Sequence, residues 1–410
     1  KKSLLLRGGA CLSGLMLAIP NVFPLLAPVQ LAAFVPVLVF LKKHKQIESL
    51  FVPGFYMGLF YTIPQMVILK LPIYITLLLI IHFIVVFTVI VFVASRLIRY
   101  SPVLGSIAFG SLLLVLDWVN FSAMPMWGTA QSFCRCWSSY PGAIAFTSIT
   151  GITGIIFILG SLQMMAINFV SPQKCKMLLT AVSLLIIIIL VNVCILNIQK
   201  TGKITVAALG WSSDAAPYSL NSELTQELEK VAESGASLIV LPEMGFVFEG
   251  KQRQEGVEEF QRLSKRLKVA IAVGCFDSVL NDNWVFFTDS EGAVVGEYFK
   301  RHLIPFECSN KGNGNISTFS VDGLSVGAMI CQDDNFTDIS RKYGQVPVSL
   351  MAVPTLDWLS VKEAHLQSSI HRAIESRYVM IRAAYNGISA IINGKGEVAA
   401  SCDHFEDGME

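Results

Sequence analysis

Three side chains in the second half of this 410-residue chain have the types that acyl transfer requires. Glu243 follows Leu-Ile-Val-Leu-Pro, Lys300 follows Glu-Tyr-Phe, and Cys331 follows Gly-Ala-Met-Ile. Opening an ester or amide takes a nucleophile, a base to activate it, and positive charge for the developing oxyanion. Cys331, Glu243 and Lys300 supply these in turn, the lysine also favouring the thiolate. Each residue has a plainer reading by itself. A cysteine after an apolar run can be core, Glu243 can cap a helix start after Pro242, and Lys300 can pair with Glu297 on a strand surface.

The elements that would position them are legible as periodicity. Residues 326–330 form an apolar run that stops at Cys331 and turns into Gln332, Asp333 and Asp334, the pattern of a buried strand. Strands are also expected at 204–209, 237–241, 269–273, 349–353, 380–384 and 388–392. A hairpin is expected from 283–288 and 293–299 around the Asp289-Ser-Glu-Gly292 turn. Leu224, Leu228 and Val231 mark one amphipathic helix, with Asn221 or Ser222 as its cap and Glu223 in its first turn. Phe260, Leu263 and Leu267 mark a second helix, and Leu366, Ile370 and Ile374 a third. Strands alternating with helices, then hairpins, predict a layered α/β domain. The charged, glycine-containing segment 249–256 is expected to be a mobile entrance flap.

The first half is different material. The chain is 53% hydrophobic, with a mean hydropathy of +0.58, too apolar for an ordinary soluble protein. Residues 1–200 hold 13 Lys/Arg and two acids, Glu48 and Asp117, for a net +11. Residues 201–410 hold 18 Lys/Arg and 28 acids, for a net −10. Seven apolar stretches precede residue 200, at 4–19, 22–41, 50–69, 73–94, 103–121, 143–170 and 177–198, most of them near the ~20 residues that cross a hydrocarbon core. This predicts about seven transmembrane helices over 1–200. Alternate loops then carry ten Lys/Arg on one side (Lys1, Lys2 and Arg7; Lys42, Lys43 and Lys45; Arg96 and Arg99; Lys174 and Lys176) and four on the other (Lys70, Arg135, Lys200 and Lys203). The richer side is cytoplasmic, so an odd number of spans puts 201–410 outside the cytoplasmic membrane. Basic residues placed between spans argue against nucleic-acid binding. Nine scattered cysteines without a C-x-x-C pair argue against structural zinc, so no metal and no cofactor is expected. The loop with Pro125, Trp127, Gln131, Trp137 and Tyr140 reads as an aromatic belt or as a lipid-facing collar. Asp117 lies near a span end, within reach of water.

The order Leu241-Pro-Glu243, Lys300-Arg-His-Leu-Ile-Pro-Phe306 and then Cys331 resembles the carbon–nitrogen hydrolase (nitrilase) superfamily. Set behind several spans, it is similar to the bacterial apolipoprotein N-acyltransferases. The resemblance extends to Gly54-Phe-Tyr-Met-Gly-Leu-Phe60, the Pro125/Trp127/Gln131 loop, Arg372-Ala-Ile-Glu375 with Arg377, and Asn386-Gly-Ile-Ser389. It implies a nitrilase-like αββα sandwich over 201–410, a Glu243–Lys300–Cys331 triad, and Glu307 and Asp333 as supporting carboxylates. It further implies a ping-pong reaction in the bacterial inner membrane. Cys331 takes an acyl chain from a phospholipid as a thioester and passes it to the α-amine of a lipoprotein's diacylglyceryl-cysteine, the protein acting as a monomer.

The chain departs from the family pattern in four places. Gln332-Asp333 stands where Tyr-Glu is usual, Glu307 comes one residue early with Cys308 beside it, Tyr385 precedes Asn386, and no final span is expected after the acidic stretch from Asp403 to Glu410. Two other functions therefore stay open: a membrane-anchored nitrilase-type amidase, and a weakened homologue that binds lipid or lipoprotein without turnover. His302 and His365 are expected to be structural, since a Cys–His pair is redundant here. Arg372 and Arg377 are expected to form ion pairs. Trp284 and Trp358 either flank an acyl path or fill core.

Overall fold

The computed structural model describes residues 2–44, 49–123, 127–169, 174–198, 203–212 and 220–404. Lys1, Lys45, Glu48, Pro125, Lys200 and the tail 405–410 lie outside the described residues. The chain divides into two compact units, one of Lys1–Pro125 with Gln131–Ile198 and the other of Met126–Ala130 with Gln199–Glu410.

The first unit is helical: α1 (Lys2–Val22), a 3₁₀ stretch (Pro24–Ala32), α2 (Val35–Lys43), α3 (Phe51–Leu69), α4 (Ile73–Leu97), α5 (Pro102–Ala123), α6 (Thr147–Thr150), α7 (Thr153–Asn168) and α8 (Lys174–Leu196). Among the described residues, five helices are long and apolar enough to cross a membrane: Pro24–Lys43, Phe51–Leu69, Ile73–Leu97, Pro102–Ser122 and Cys175–Leu196. That corrects the expectation of seven. The 4–19 stretch is helical within α1, but Arg7, Gly8, Gly9, Ser13 and Gly14 dilute its apolarity. The 143–170 stretch is broken: Gly151 turns the chain at φ +70°, which ends α6 after one turn and leaves α7 only 16 residues long.

Asp117 does not reach water. It is fully buried and accepts hydrogen bonds from Ser132 Oγ (2.7 Å) and Phe133 N (2.9 Å). The Phe133 carbonyl in turn accepts from Gln30 Nε2 (2.7 Å). Ser132, Phe133 and Cys134 are fully buried, so this part of the loop is neither belt nor collar. It is irregular backbone inside a helical unit, and the polar side chains around it satisfy groups that an apolar surround would leave unpaired.

The second unit contains twelve strands among its described residues. They are β1 (Val206–Ala208), β2 (Leu238–Val240), β3 (Phe246–Phe248), β4 (Ala270–Asp277), β5 (Asp282–Thr288), β6 (Val294–Phe299), β7 (Phe319–Val321), β8 (Leu324–Ala328), β9 (Leu350–Leu356), β10 (Val379–Tyr385), β11 (Ile388–Ile392) and β12 (Val398–Asp403). They form two six-stranded sheets. One runs β1-β2-β4-β5-β6 with β3 on β4, and the other β12-β11-β10-β9-β8-β7. Strands β2, β4, β9 and β10 are buried along nearly their whole length, the reading expected where both faces of a sheet are covered. Helices α9 (Ser222–Glu233) and α10 (Gln252–Leu267) cover the first sheet through Leu224, Leu228, Phe260 and Leu263. Helix α12 (Lys362–Ser376) packs on β10 and β11, with α11 (Thr337–Gly344) beside it. Trp211 ties the sheets together: its N–H donates to the Ala384 carbonyl (3.3 Å), and its carbonyl accepts from Asn386 N (3.0 Å).

Asn221 caps α9 as expected, its side chain accepting from Leu224 N at 2.8 Å. The expected flap is different. Residues 252–256 are the first turns of α10, and a Cβ on Gly256 would sit 2.2 Å from the Phe248 ring, so the segment is packed down on β3.

Candidate active site

Glu243 lies just beyond β2, on a turn whose next residue, Met244, has φ +52°. The turn is tight because β4 passes beneath it: a Cβ on Gly274 would come within 2.2 Å of the Pro242 carbonyl oxygen and 2.9 Å of Glu243 Cα. Glycine at 274 is therefore a requirement of close approach. Three donors converge on the buried carboxylate. Lys300 Nζ (2.8 Å) and Asn283 Nδ2 (2.7 Å) reach Oε1, and Leu356 N reaches Oε2 at 2.8 Å.

Lys300 leaves the end of β6, its N–H donating to the Asn283 carbonyl (2.9 Å) and its carbonyl accepting from Gly312 N (2.8 Å). Its ammonium lies between two carboxylates, Glu243 Oε1 at 2.8 Å and Glu307 Oε2 at 2.9 Å. Lys300 thus pairs with neither Glu297 nor the solvent. Burial disfavours the ammonium, yet the charges of Glu243 and Glu307 hold its pKa above the ordinary lysine value. Glu307 is also fixed by Ile304 N (3.1 Å) and Ser309 Oγ (3.0 Å). Burial would raise its pKa, but the neighbouring Lys300 charge lowers it below the usual carboxylate value.

Cys331 begins a 3₁₀ turn, Cys331–Asn335, three residues beyond β8. Its φ is +45°, left-handed backbone at a residue with a Cβ. The thiol donates to the Leu356 carbonyl at 3.3 Å. One residue at the end of β9 therefore touches both groups, its N–H held by Glu243 and its carbonyl by Cys331. Burial raises the Cys331 pKa far above the ordinary thiol value, Glu243 raises it further, and Lys300 opposes the rise. The resting group is a neutral thiol that needs a base.

Asp333 stands apart from these contacts. It accepts from Tyr298 OH (2.9 Å), His302 N (2.7 Å), Arg301 N (3.2 Å) and Ile330 N (3.2 Å), with His302 Nδ1 at 2.9 Å. It stitches the turn after β8 to the segment after β6 and so fixes the register of Cys331 against Lys300. His302 stacks on Phe336 at 4.0 Å. From the chain's first half, Thr129 Oγ1 donates to the Asn335 carbonyl (3.0 Å). Gly128, at φ +52°, lies so close that a Cβ would meet that same oxygen at 2.2 Å. Trp127 meets Trp358 edge-on, centroids 6.1 Å apart, while Trp284 is core, stacked on Phe286 and Phe299. Arg372 pairs with Glu375 at 2.8 Å.

Sequence reasoning did not single out Asn283, Leu356 or the charged cluster behind Cys331. Asn283 opens a strand-like run, and only its burial marks it. The backbone of Leu356 carries no side-chain signal at all. Behind Cys331, Asp334, Asp357, His365 and Arg382 form a fully buried ionic group. Ligand atoms of Cys331, Asp357 and His365 lie within 4.8 Å of one another, a metal-like spacing. The donors are already committed, however. Both His365 nitrogens face carboxylates at 2.7 Å, and Asp357 Oδ2 takes Arg382 Nη2 at 2.6 Å. A cation there would displace a guanidinium.

The carbon–nitrogen hydrolase family profile matches residues 202–409. The chain belongs to the carbon–nitrogen hydrolase family. Within it, the chain resembles the apolipoprotein N-acyltransferases. It is 25% identical over 350 residues to that of Thermotoga maritima, covering 76% of this chain and 68% of that protein. It is 26% identical over 211 residues to that of Aquifex aeolicus, covering 46% of this chain and 47% of that protein. The chain thus spans about half the length of the Aquifex relative. The family resemblance also reaches a deaminated glutathione amidase of Dictyostelium discoideum, 27% identical over 193 residues, or 39% of this chain and 66% of that protein.

Proposed function

We propose that the protein is an N-acyltransferase of lipoprotein maturation, with Cys331 as nucleophile, Glu243 as general base and acid, and Lys300 as oxyanion stabiliser. The observation that carries this reading is the reach of the Thermotoga similarity. It covers 76% of this chain, more than the 202–409 segment can hold, so it includes part of the helical half. The Dictyostelium amidase match covers only 39% of the chain.

Glu243 takes the thiol proton as the sulfur attacks the acyl ester carbonyl of a membrane phospholipid. The tetrahedral oxyanion forms against the Lys300 ammonium. Collapse breaks the ester C–O bond, the lysophospholipid alkoxide takes the proton from Glu243, and the acyl chain remains as a Cys331 thioester. The α-amine of a diacylglyceryl-cysteine then attacks the thioester, gives a proton to Glu243 and forms the amide. The thiolate leaves and is reprotonated. Glu307 holds Lys300 in place, and Asp333 holds the Cys331 turn. Both substrates keep their acyl chains in hydrocarbon, which gives the helical half a role as their site of residence. An odd number of crossings, with 201–410 on the external face of the inner membrane, fits the loop charges.

The test is incubation of the purified full chain with acyl-labelled phospholipid and a diacylglyceryl peptide. A hydroxylamine-sensitive label on Cys331, absent in Cys331→Ala and passed to the peptide amine, is the expected result. A second reading, a membrane-anchored amidase, draws on the Dictyostelium similarity. Hydrolysis of a small amide with no thioester from phospholipid would establish it instead, and neither activity would leave a lipid or lipoprotein binder.

A further inference from the structure

His365 sits between two aspartates directly behind the nucleophile turn. Its Nε2 lies 2.7 Å from Asp334 Oδ1 and its Nδ1 2.7 Å from Asp357 Oδ1. A carboxylate faces each nitrogen, so each nitrogen carries a proton. Nε2 also lies 3.2 Å from the Cys331 carbonyl oxygen. Arg382 Nη2 closes on Asp357 Oδ2 at 2.6 Å, and Ser369 Oγ donates to Asp334 Oδ2 at 2.5 Å. The four ionised groups are each 5% exposed or less, and two positive charges balance two negative ones. Cys331 itself is held at φ +45°, a conformation that a non-glycine residue keeps only when its surroundings over-determine it.

We propose that His365 is a positioning residue for Cys331: it donates to the Cys331 carbonyl to hold the left-handed turn, and its charge cancels the negative field that Asp334 and Asp357 would otherwise present to the thiolate. This rests on the reading of Cys331 as the nucleophile. The groups facing the imidazole are Asp334 from the Cys331 turn, Asp357 beyond β9, Arg382 from β10 and the Cys331 main chain. Burial opposes its charge, but the two aspartates outweigh burial and carry its pKa up to about 10, so the device is set across the neutral range.

The test uses the full chain in detergent, with iodoacetamide alkylation of Cys331 followed by peptide mass spectrometry across pH. His365→Gln leaves the cluster net negative and raises the alkylation midpoint by about one pH unit, slowing the reaction about tenfold below it. His365→Arg restores a cation and returns the midpoint toward the wild type. Asp334→Asn leaves the cluster net positive and moves the midpoint down. These opposite directions separate the proposal from a packing role, which would move the variants together or leave the midpoint alone. Midpoints that stay put, or that shift the same way in His365→Gln and Asp334→Asn, overturn it. If His365→Gln does not fold, the downward shift in Asp334→Asn still decides. Acyl transfer is measured on the wild type alone. Opposite shifts without a thioester sink the acyltransferase reading and spare this one; a normal thioester without the shifts does the reverse.

Discussion

Lys300 Nζ lies 2.8 Å from Glu243 Oε1, and both side chains are 3% exposed or less. A buried pair of this kind contributes little net stability, but losing one partner strands the other charge. Lys300→Met leaves Glu243 and Glu307 facing each other across an apolar side chain. The expected cost is on the order of 3–5 kcal/mol in the catalytic unit, seen as a fall of several degrees in its thermal transition together with loss of Cys331 acylation. An unchanged transition would mean the pair is solvated in solution.

Glu243→Gln keeps the shape and the hydrogen bond from Leu356 N but cannot accept a proton. General base catalysis contributes about 10²–10⁴-fold, and the rate of thioester formation is expected to fall within that range. Glu307→Gln touches Lys300 without serving as the base, and the expected loss is about tenfold, near 1.4 kcal/mol. Single-turnover acylation rates rank the two; a larger loss at Glu307 would reverse their roles.

The pH dependence has a sign on each side. The folded pKa of Glu307 is lowered by Lys300 against the effect of burial, and that of Asp357 by Arg382 and His365, again against burial. Their stabilisation is present above the unfolded carboxylate pKa and is lost as pH falls through the lower folded values. The folded pKa of His365 is raised from 6.5 to about 10. Its stabilisation is complete below pH 6.5 and is lost as pH rises through about 10. Thermal transitions of the catalytic unit from pH 6 to 11 should decline in the wild type and decline less in His365→Gln. Parallel curves would remove His365 as the cause.

Two glycines set the approach of backbone to the site. Gly274→Ala places a methyl 2.2 Å from the Pro242 carbonyl oxygen, and Gly128→Ala places one 2.2 Å from the Asn335 carbonyl oxygen. The first pushes Glu243 off its donors, and the second disturbs the Cys331–Asn335 turn at a φ of +52° that alanine also resists. Each is expected to reduce acylation at least tenfold. Iodoacetamide labelling of Cys331 should separate them, with Gly128→Ala altering thiol reactivity more than Gly274→Ala. The opposite order would place the disturbances elsewhere.

The sequence by itself determined the division of the chain and the ends of the strands that matter. Apolar runs and charge separate the two halves, and β2, β6 and β8 each run out at or just before a residue with chemistry to offer, because a buried strand must stop where its polar residues begin. It did not reveal β3, β7, β12 or α11, which are short, edge-lying or too brief for a periodic signal. It overstated the spans, because periodicity cannot see that Gly151 adopts a left-handed φ, and it misread 249–256, where helix packing on Phe248 overrides charge and glycine content. Only the tertiary structure decided which carboxylates meet Lys300, since Glu297, nearer along the chain than Glu307, is not the one that pairs with it. It alone gave the Leu356 main chain its double contact, turned Asp333 into a stitch between two loops, and gathered Asp334, Asp357, His365 and Arg382 from four segments. Such pairings depend on which buried charges find partners when the sheets come together, and residues far apart in sequence carry no local mark of that meeting.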